Sequence, residues 1–219
     1  MVTALSSSAI GRTAISIAVV SIIGLVFIGL FFGTGGPFGT LNDVCVGVGG
    51  ILSGRLAWLL SPTHRSYTPR GSGFALGTAL VGACLTALGS GLVIFNVTGW
   101  FLAGLVTTFG YALIGVWLLG LNSSALRWLG FPRRLAQFGI VAGLVTAVGV
   151  LALPGILARA EASGSARWFV SGSMYLGGLG WNILYAIWCM WLARLLLSRN
   201  LDLQVVTTAR ADKSASPTS

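Results

Sequence analysis

Acidic side chains, the usual general acids and bases of enzymes, are scarce in this chain of 219 residues. The whole sequence holds four, and no two of them share an apolar stretch. Asp43 and Glu161 are placed near the extracytoplasmic surface, whereas Asp202 and Asp212 fall in a polar tail. Because acid–base catalysis by paired carboxylates needs two such groups in one site, the inventory predicts no carboxylate pair inside the membrane.

The residues that bind metals or act as nucleophiles are equally few. His64 is the single histidine, and it is expected to be solvated in a predicted cytoplasmic loop, 61–73. Cys45, Cys84 and Cys189 are predicted at different membrane depths, so we expect three buried free thiols that pack as small apolar groups. One histidine cannot supply both axial ligands of haem b, and a mixed His/Cys metal cluster is absent. The sequence therefore predicts no cofactor, no metal and no enzymatic activity.

Two polar residues, Asn42 and Asp43, form a candidate site at the outer end of the second predicted span. The segment around them is typical of a helix start, with Thr40 as the N-cap and Asp43 as the third residue. An acid at that position stabilises the helix dipole. The alternative is a cation or proton site, because an ionisable group in a span is a functional hypothesis by default.

A second candidate site lies in the last apolar stretch. Trp181, Tyr185 and Trp188 recur at i, i+4 and i+7, which places them on one stripe of a helix, and Asn182 and Cys189 form a neighbouring stripe. An aromatic wall with one amide suits a lipophilic ligand or hydrogen bonding between helices. The alternative interpretation is bundle packing together with anchoring of tryptophan at the membrane interface.

Composition indicates which elements must position these residues. The chain is 55% hydrophobic and 8% charged, with a mean hydropathy of +0.91, which is typical of an integral membrane protein. The stretch 71–126 contains no charged residue and no histidine, and its length suits two spans of roughly 20 residues each. Its only break, at 96–99 (NVTG), has the composition of a turn.

The same criteria along the whole chain predict an all-α membrane protein with a compact bundle of six transmembrane helices. A cytoplasmic N-terminus, 1–13, precedes this domain, 14–197, and a flexible cytoplasmic tail, 198–219, follows it. The predicted spans are 14–32, 41–60, 74–95, 100–121, 135–157 and 168–193.

Glycine is the second organising feature, with 32 residues in the chain. Helices in lipid associate through close backbone contact, which small residues four positions apart permit. Such pairs recur along the chain, and together they predict a compact bundle, although glycine this abundant also gives such pairs by chance: Gly29/Gly33, Gly50/Gly54, Gly73/Gly77 and Gly139/Gly143.

Charge distribution predicts the orientation. Of the 13 basic residues, only Arg159 and Arg167 fall on the predicted outer side, so the positive-inside rule places both termini in the cytoplasm. The net charge of +9 does not indicate nucleic-acid binding, because the basic residues lie between apolar runs rather than on a polar fold.

Two stretches, 35–43 (GGPFGTLND) and 188–196 (WCMWLARLL), resemble small bacterial multi-pass membrane proteins that are classed only as domains of unknown function. The resemblance implies a location in the bacterial inner membrane and brings no activity with it. The middle of the predicted bundle carries Asn, Ser and Thr but no charge, unlike most ion-coupled transporters. We therefore expect a non-catalytic protein that binds a lipophilic ligand or serves as an accessory subunit, with membrane lipids and other membrane-protein subunits as partners. The alternative is a small transporter or channel for an uncharged or weakly charged solute.

Overall fold

A computed structural model describes residues 7–128, 130–160 and 168–199. It contains six helices, each long and apolar enough to cross a membrane, which confirms the predicted all-α architecture. The first four are α1 (Ser7–Thr34), α2 (Phe38–Tyr67), α3 (Pro69–Ile94) and α4 (Trp100–Ala125). The fifth, α5, consists of Arg133–Ala147, the 3₁₀ segment Val148–Ala152 and Leu153–Leu157. The sixth, α6, consists of Trp168–Leu179, the π-helical segment Gly180–Tyr185 and Ala186–Arg199. Glu161 and the acids of the predicted tail lie outside the described residues.

The connection between α2 and α3 differs from the predicted loop, 61–73. The helix continues through Pro62, and Thr68 alone separates α2 from α3. A proline inside a helix leaves the carbonyl four residues earlier without its usual donor. The hydroxyl of Ser61 donates to that carbonyl, the backbone oxygen of Trp58, at 2.9 Å. The helix therefore passes the proline without an orphaned carbonyl at this point.

Two turns have backbone conformations that the sequence accounts for. Gly35 and Gly36, between α1 and α2, have φ values of 70° and 75°, which favour residues without a Cβ. Asn96 starts the connection between α3 and α4 with a φ of 53°, a conformation that asparagine tolerates. The turn predicted at 96–99 is thus confirmed.

The six helices pack in sequence order, each against the next, and α6 closes the bundle against α1. Helix α4 also contacts α2 and the first part of α6. Its apolar window has the largest buried share of the six helices. Helix α4 is therefore the central element around which the others are arranged.

Glycine controls several of these contacts. A Cβ added at Gly50 would lie 2.7 Å from Cγ2 of Thr86, and one added at Gly54 would lie 2.9 Å from Cβ of Ala83, so both glycines bring α2 close to α3. Gly143 packs in the same way against α4, where a Cβ would lie 2.9 Å from a backbone oxygen. Gly139 packs against α4 as well, on the side chain of Asn122. The two other predicted pairs have open space around them: Gly29/Gly33 and Gly73/Gly77.

Helices α5 and α6 depart from regular α-geometry where they meet. Pro154 follows the 3₁₀ segment of α5. In a regular α-helix its ring would clash with the carbonyl four residues earlier, which lies in that segment. Gly180 begins the π-helical segment of α6, and a Cβ there would lie 2.7 Å from the backbone nitrogen of Thr146. The two backbones therefore approach closely at this level. A π-segment within an α-helix frequently marks a functional site.

Candidate functional site

Four aromatic rings form a continuous stack through the centre of the bundle. Tyr111 of α4 lies on Trp181 with ring centroids 4.3 Å apart, and Trp181 lies 5.1 Å from Tyr185. Trp188 continues the series at 6.1 Å from Tyr185. All four residues are at most 4% exposed. The structure thus brings together the three predicted residues of α6 and adds Tyr111, which the sequence did not identify.

Polar groups of two other helices bind this aromatic stack. The hydroxyl of Tyr185 donates to Oγ of Ser53, on α2, at 3.1 Å. The indole nitrogen of Trp188 donates to Oδ1 of Asn122, on α4, at 3.2 Å. The amide nitrogen of Asn122 donates in turn to the backbone oxygen of Leu118 at 2.8 Å. These bonds join α2, α4 and α6. The sequence did not identify Asn122 or Ser53, since a polar residue next to or within an apolar run is their only signal.

Asn182, the amide predicted beside the aromatic stripe, makes its hydrogen bond within its own helix. It is half-buried, and its amide nitrogen donates to the backbone oxygen of Gly178 at 3.0 Å. Together with Trp181, Ser21 and Cys45 it lines a narrow gap between α6, α1 and α2. The amide that accepts a hydrogen bond from the aromatic stack is that of Asn122.

The chemistry available to the aromatic stack is limited. Its rings are buried against one another, and the hydroxyl and amide groups described above use their hydrogen bonds within the protein. A ligand would have to displace packed side chains to reach these rings. The stack stabilises the bundle, since buried aromatic pairs contribute roughly 0.5–1.5 kcal/mol beyond their area.

The outer-end pair, Asn42 and Asp43, lies inside α2 rather than at its start. The helix begins at Phe38 with Pro37 as the N-cap residue, and no side chain caps it. The prediction that Thr40 is the N-cap and Asp43 the third residue is therefore wrong. The physical reason is that the preceding glycine turn leads directly into Pro37, whose φ of −75° already suits a helix. The interpretation of Asp43 as a cation or proton site stays a prediction.

The opposite end of α2 carries a buried histidine. His64 is 3% exposed, so the expectation of a solvated loop residue is wrong, because α2 extends past this position. Its ring lies 6.5 Å from that of Trp128, which also stacks on Tyr67 at 5.1 Å and contacts Phe131 at 5.5 Å. Trp128 is 7% exposed, so it packs against the end of α2 and does not present its ring to the headgroup layer.

A groove of about 340 Å³ opens between α2 and α3 on the outer surface of the bundle. The buried residues of its lining are small, namely Gly54 on α2 and Ala83 on α3. Four residues of its wall are exposed, namely Ile51, Arg55, Trp58 and Cys84. The exposure of Cys84 differs from the expectation of a buried thiol. The complete lining is Ile51, Gly54, Arg55, Trp58, Leu80, Ala83, Cys84 and Ala87.

The groove lies beside the middle of α3. Its α3 residues begin at Leu80 and end at Ala87, in a helix that spans Pro69–Ile94. At 1.5 Å per residue, about 16 Å of helix precede this section and about 10 Å follow it. The groove is therefore centred on a helix that is long and apolar enough to cross a membrane.

Arg55 is the one charged side chain in the lining. Asp43 is the only acidic residue in the described part of the chain. It is 12 residues away on the same helix, which corresponds to about 18 Å. The Arg55 guanidinium therefore has no carboxylate partner among the residues that the structure describes.

No protein-family model, curated protein or solved structure matches this chain. The described residues also contain no group of three His, Cys, Asp or Glu side chains that could hold a metal ion. Geometry alone therefore ranks the candidate sites. The aromatic stack is filled, whereas the groove between α2 and α3 has volume, access from the membrane and an exposed charge.

Proposed function

We propose that this chain is a non-catalytic multi-pass membrane protein that binds a lipophilic molecule in the groove between α2 and α3. The observation that supports the proposal is the groove itself, an open surface groove whose volume of about 340 Å³ lies near the lower end of the roughly 300–1,000 Å³ of small-molecule sites. Because it opens sideways on the bundle, a ligand reaches it from the lipid phase without passing through water.

The lining favours binding over chemistry. Its walls are aliphatic and aromatic side chains, apart from Arg55 and the thiol of Cys84. Acid–base catalysis needs a group that takes and gives protons near neutral pH, and arginine stays protonated in proteins. The thiol of Cys84 has no histidine in the lining to activate it.

For the location, we propose the bacterial inner membrane with both termini in the cytoplasm. The distribution of basic residues supports this orientation, because the cytoplasmic side then receives the ends of α2, α4 and α6 with their arginines. Arg65 at the end of α2 and Arg127 after α4 are both exposed, as interfacial arginines should be. A role as accessory subunit of a membrane assembly is compatible with ligand binding in the groove.

The test is a native mass spectrum of the full chain released from lipid nanodiscs. We expect the unmodified protein to retain a lipid-sized adduct at activation energies that remove bulk lipid. A Cys84→Trp variant fills the groove and should lose the adduct. A Val81→Trp variant is the matched control, because Val81 is 53% exposed on the same helix and does not line the groove. A bare wild-type protein, or equal adducts in all three proteins, would contradict the proposal. The alternative, transport of an uncharged solute, would then be tested with flux assays.

A further inference from the structure

A positive charge at membrane depth requires an explanation. An arginine that faces lipid is costly, and it is stabilised by an anion, by water or by reaching the headgroups. The described part of the chain offers Arg55 no carboxylate, since Asp43 lies about 18 Å away along α2. The membrane is the first place to seek a partner for this exposed guanidinium.

The distance to the headgroups allows a lipid to supply that partner. The polar end of α2 begins at Ser61, six residues after Arg55, which corresponds to about 9 Å along the helix. Arginine has a long side chain that spans much of this distance, and the bilayer thins locally around a charge. A headgroup of the nearer leaflet can thus meet the guanidinium at the rim of the groove.

The groove suits the acyl chain of such a lipid. Its α2 residues begin at Ile51 and end at Trp58, a section of about 10 Å, or one third of the roughly 30 Å hydrocarbon core. This length accommodates part of an acyl chain between aliphatic walls. Trp58, which is 60% exposed, has an apolar ring and a polar N–H, the combination that favours the boundary between acyl chain and headgroup.

We propose that the ligand of the groove is an acidic phospholipid, whose phosphate pairs with Arg55 while an acyl chain lies along the walls of α2 and α3. This inference rests on the proposed function and specifies its ligand. Arginine forms two parallel hydrogen bonds with a phosphate, which gives both strength and orientation. A zwitterionic phospholipid already carries an ammonium beside its phosphate, so the acidic lipid gains more from the guanidinium.

The experiment compares retained lipids with bulk lipids. The full chain is placed in nanodiscs of phosphatidylcholine with a minor fraction of phosphatidylglycerol, and the tightly held lipid is identified by native mass spectrometry. We expect phosphatidylglycerol to be enriched roughly five- to tenfold over its bulk fraction in the wild-type protein. In an Arg55→Gln variant the enrichment should disappear while the amount of retained lipid is maintained, and Arg55→Lys should restore part of it.

The matched control is Arg65→Gln, which removes an exposed arginine of the same helix outside the groove. It should keep the enrichment. An equal loss in Arg65→Gln would show general attraction to the interface and overturn the assignment of Arg55. Equal enrichment in wild type and Arg55→Gln would overturn the pairing of the phosphate with Arg55. Retained lipid at its bulk composition in the wild-type protein would overturn the acidic ligand and leave the lipophile site intact. A wild-type protein without retained lipid would instead refute the proposed function.

Discussion

Gly115 on α4 offers the sharpest test of how the bundle is held together. A Cβ at this position would lie 2.8 Å from the backbone nitrogen of Ala147 and 2.9 Å from the backbone oxygen of Gly143, both on α5. Ordinary van der Waals contacts of a Cβ fall at 3.4–4 Å. A Gly115→Ala substitution therefore forces α4 and α5 apart by about half an ångström or more, because no rotamer change can move backbone atoms.

The magnitude follows from two opposing terms. Overpacking a tight contact costs roughly 1–3 kcal/mol, and alanine recovers about 0.5–1 kcal/mol through its better helix propensity. We expect Gly115→Ala to lower the free energy of unfolding by about 0.5–2 kcal/mol. The matched control is Gly77→Ala on α3, where no atom lies within 4 Å of the added Cβ. That variant should be neutral or stabilised by up to about 1 kcal/mol.

The assay is reversible unfolding in mixed micelles, monitored by circular dichroism, with steric trapping in bicelles as the independent measurement. The two alanine variants should change the free energy of unfolding in opposite directions, or at least differ by about 1 kcal/mol. If Gly115→Ala were as stable as Gly77→Ala, the close contact between α4 and α5 could not exist as described, and the role assigned to glycine would be refuted.

Three further outcomes test other contacts. In a double-mutant cycle of Asn122→Ala and Trp188→Phe, the unfolding free energies should reveal a coupling of about 0.6–1.7 kcal/mol, and additive costs would contradict the bond between them. Asp43→Asn removes a half-buried carboxylate that caps no helix. The free energy of unfolding should therefore stay constant within about 0.5 kcal/mol or rise. A loss above about 1 kcal/mol would show that Asp43 has a stabilising partner. Cys189→Ala should lower the free energy of unfolding by about 1 kcal/mol or more, because it opens a cavity at a fully buried site, whereas Cys84→Ala at the exposed position should change it by less than about 0.5 kcal/mol; equal losses would contradict their placement.

The number of helices was predictable because the length of an apolar run is a physical requirement of the bilayer. The residues at which the helices begin and end were not predictable in this way. Composition around Pro62 indicates a loop, yet α2 continues through it, and the hydroxyl of Ser61 supplies the carbonyl of Trp58 with the donor that proline lacks. The start of α2 was misjudged for a related reason, since the glycine turn at Gly35 and Gly36 leads into the helix earlier than Thr40. Such local hydrogen bonds and turns depend on geometry that hydropathy does not contain.

The partners of the aromatic stack could not be predicted either. In a soluble helix, apolar periodicity shows which face is buried, but in a membrane both the lipid-facing and the buried faces are apolar. The stripe of Trp181 and Tyr185 was visible within α6, whereas its contacts with Tyr111 and Ser53 depend on which helices are neighbours. The same limitation hid the groove, which appears only when Gly54 and Ala83 are brought face to face.

Two kinds of polar group in this bundle differ in where their partners come from. Asn122, Trp188, Tyr185 and Ser53 are buried, and each uses a hydrogen bond to another part of the chain. In hydrocarbon such bonds must be made internally, so these groups stabilise the fold and leave nothing for a ligand. Arg55 is the reverse case, a permanent charge on the surface that the described protein does not neutralise. Its counterpart lies outside the residues that the structure describes, and for this reason the search for function turns to the outer surface of the bundle instead of its aromatic centre.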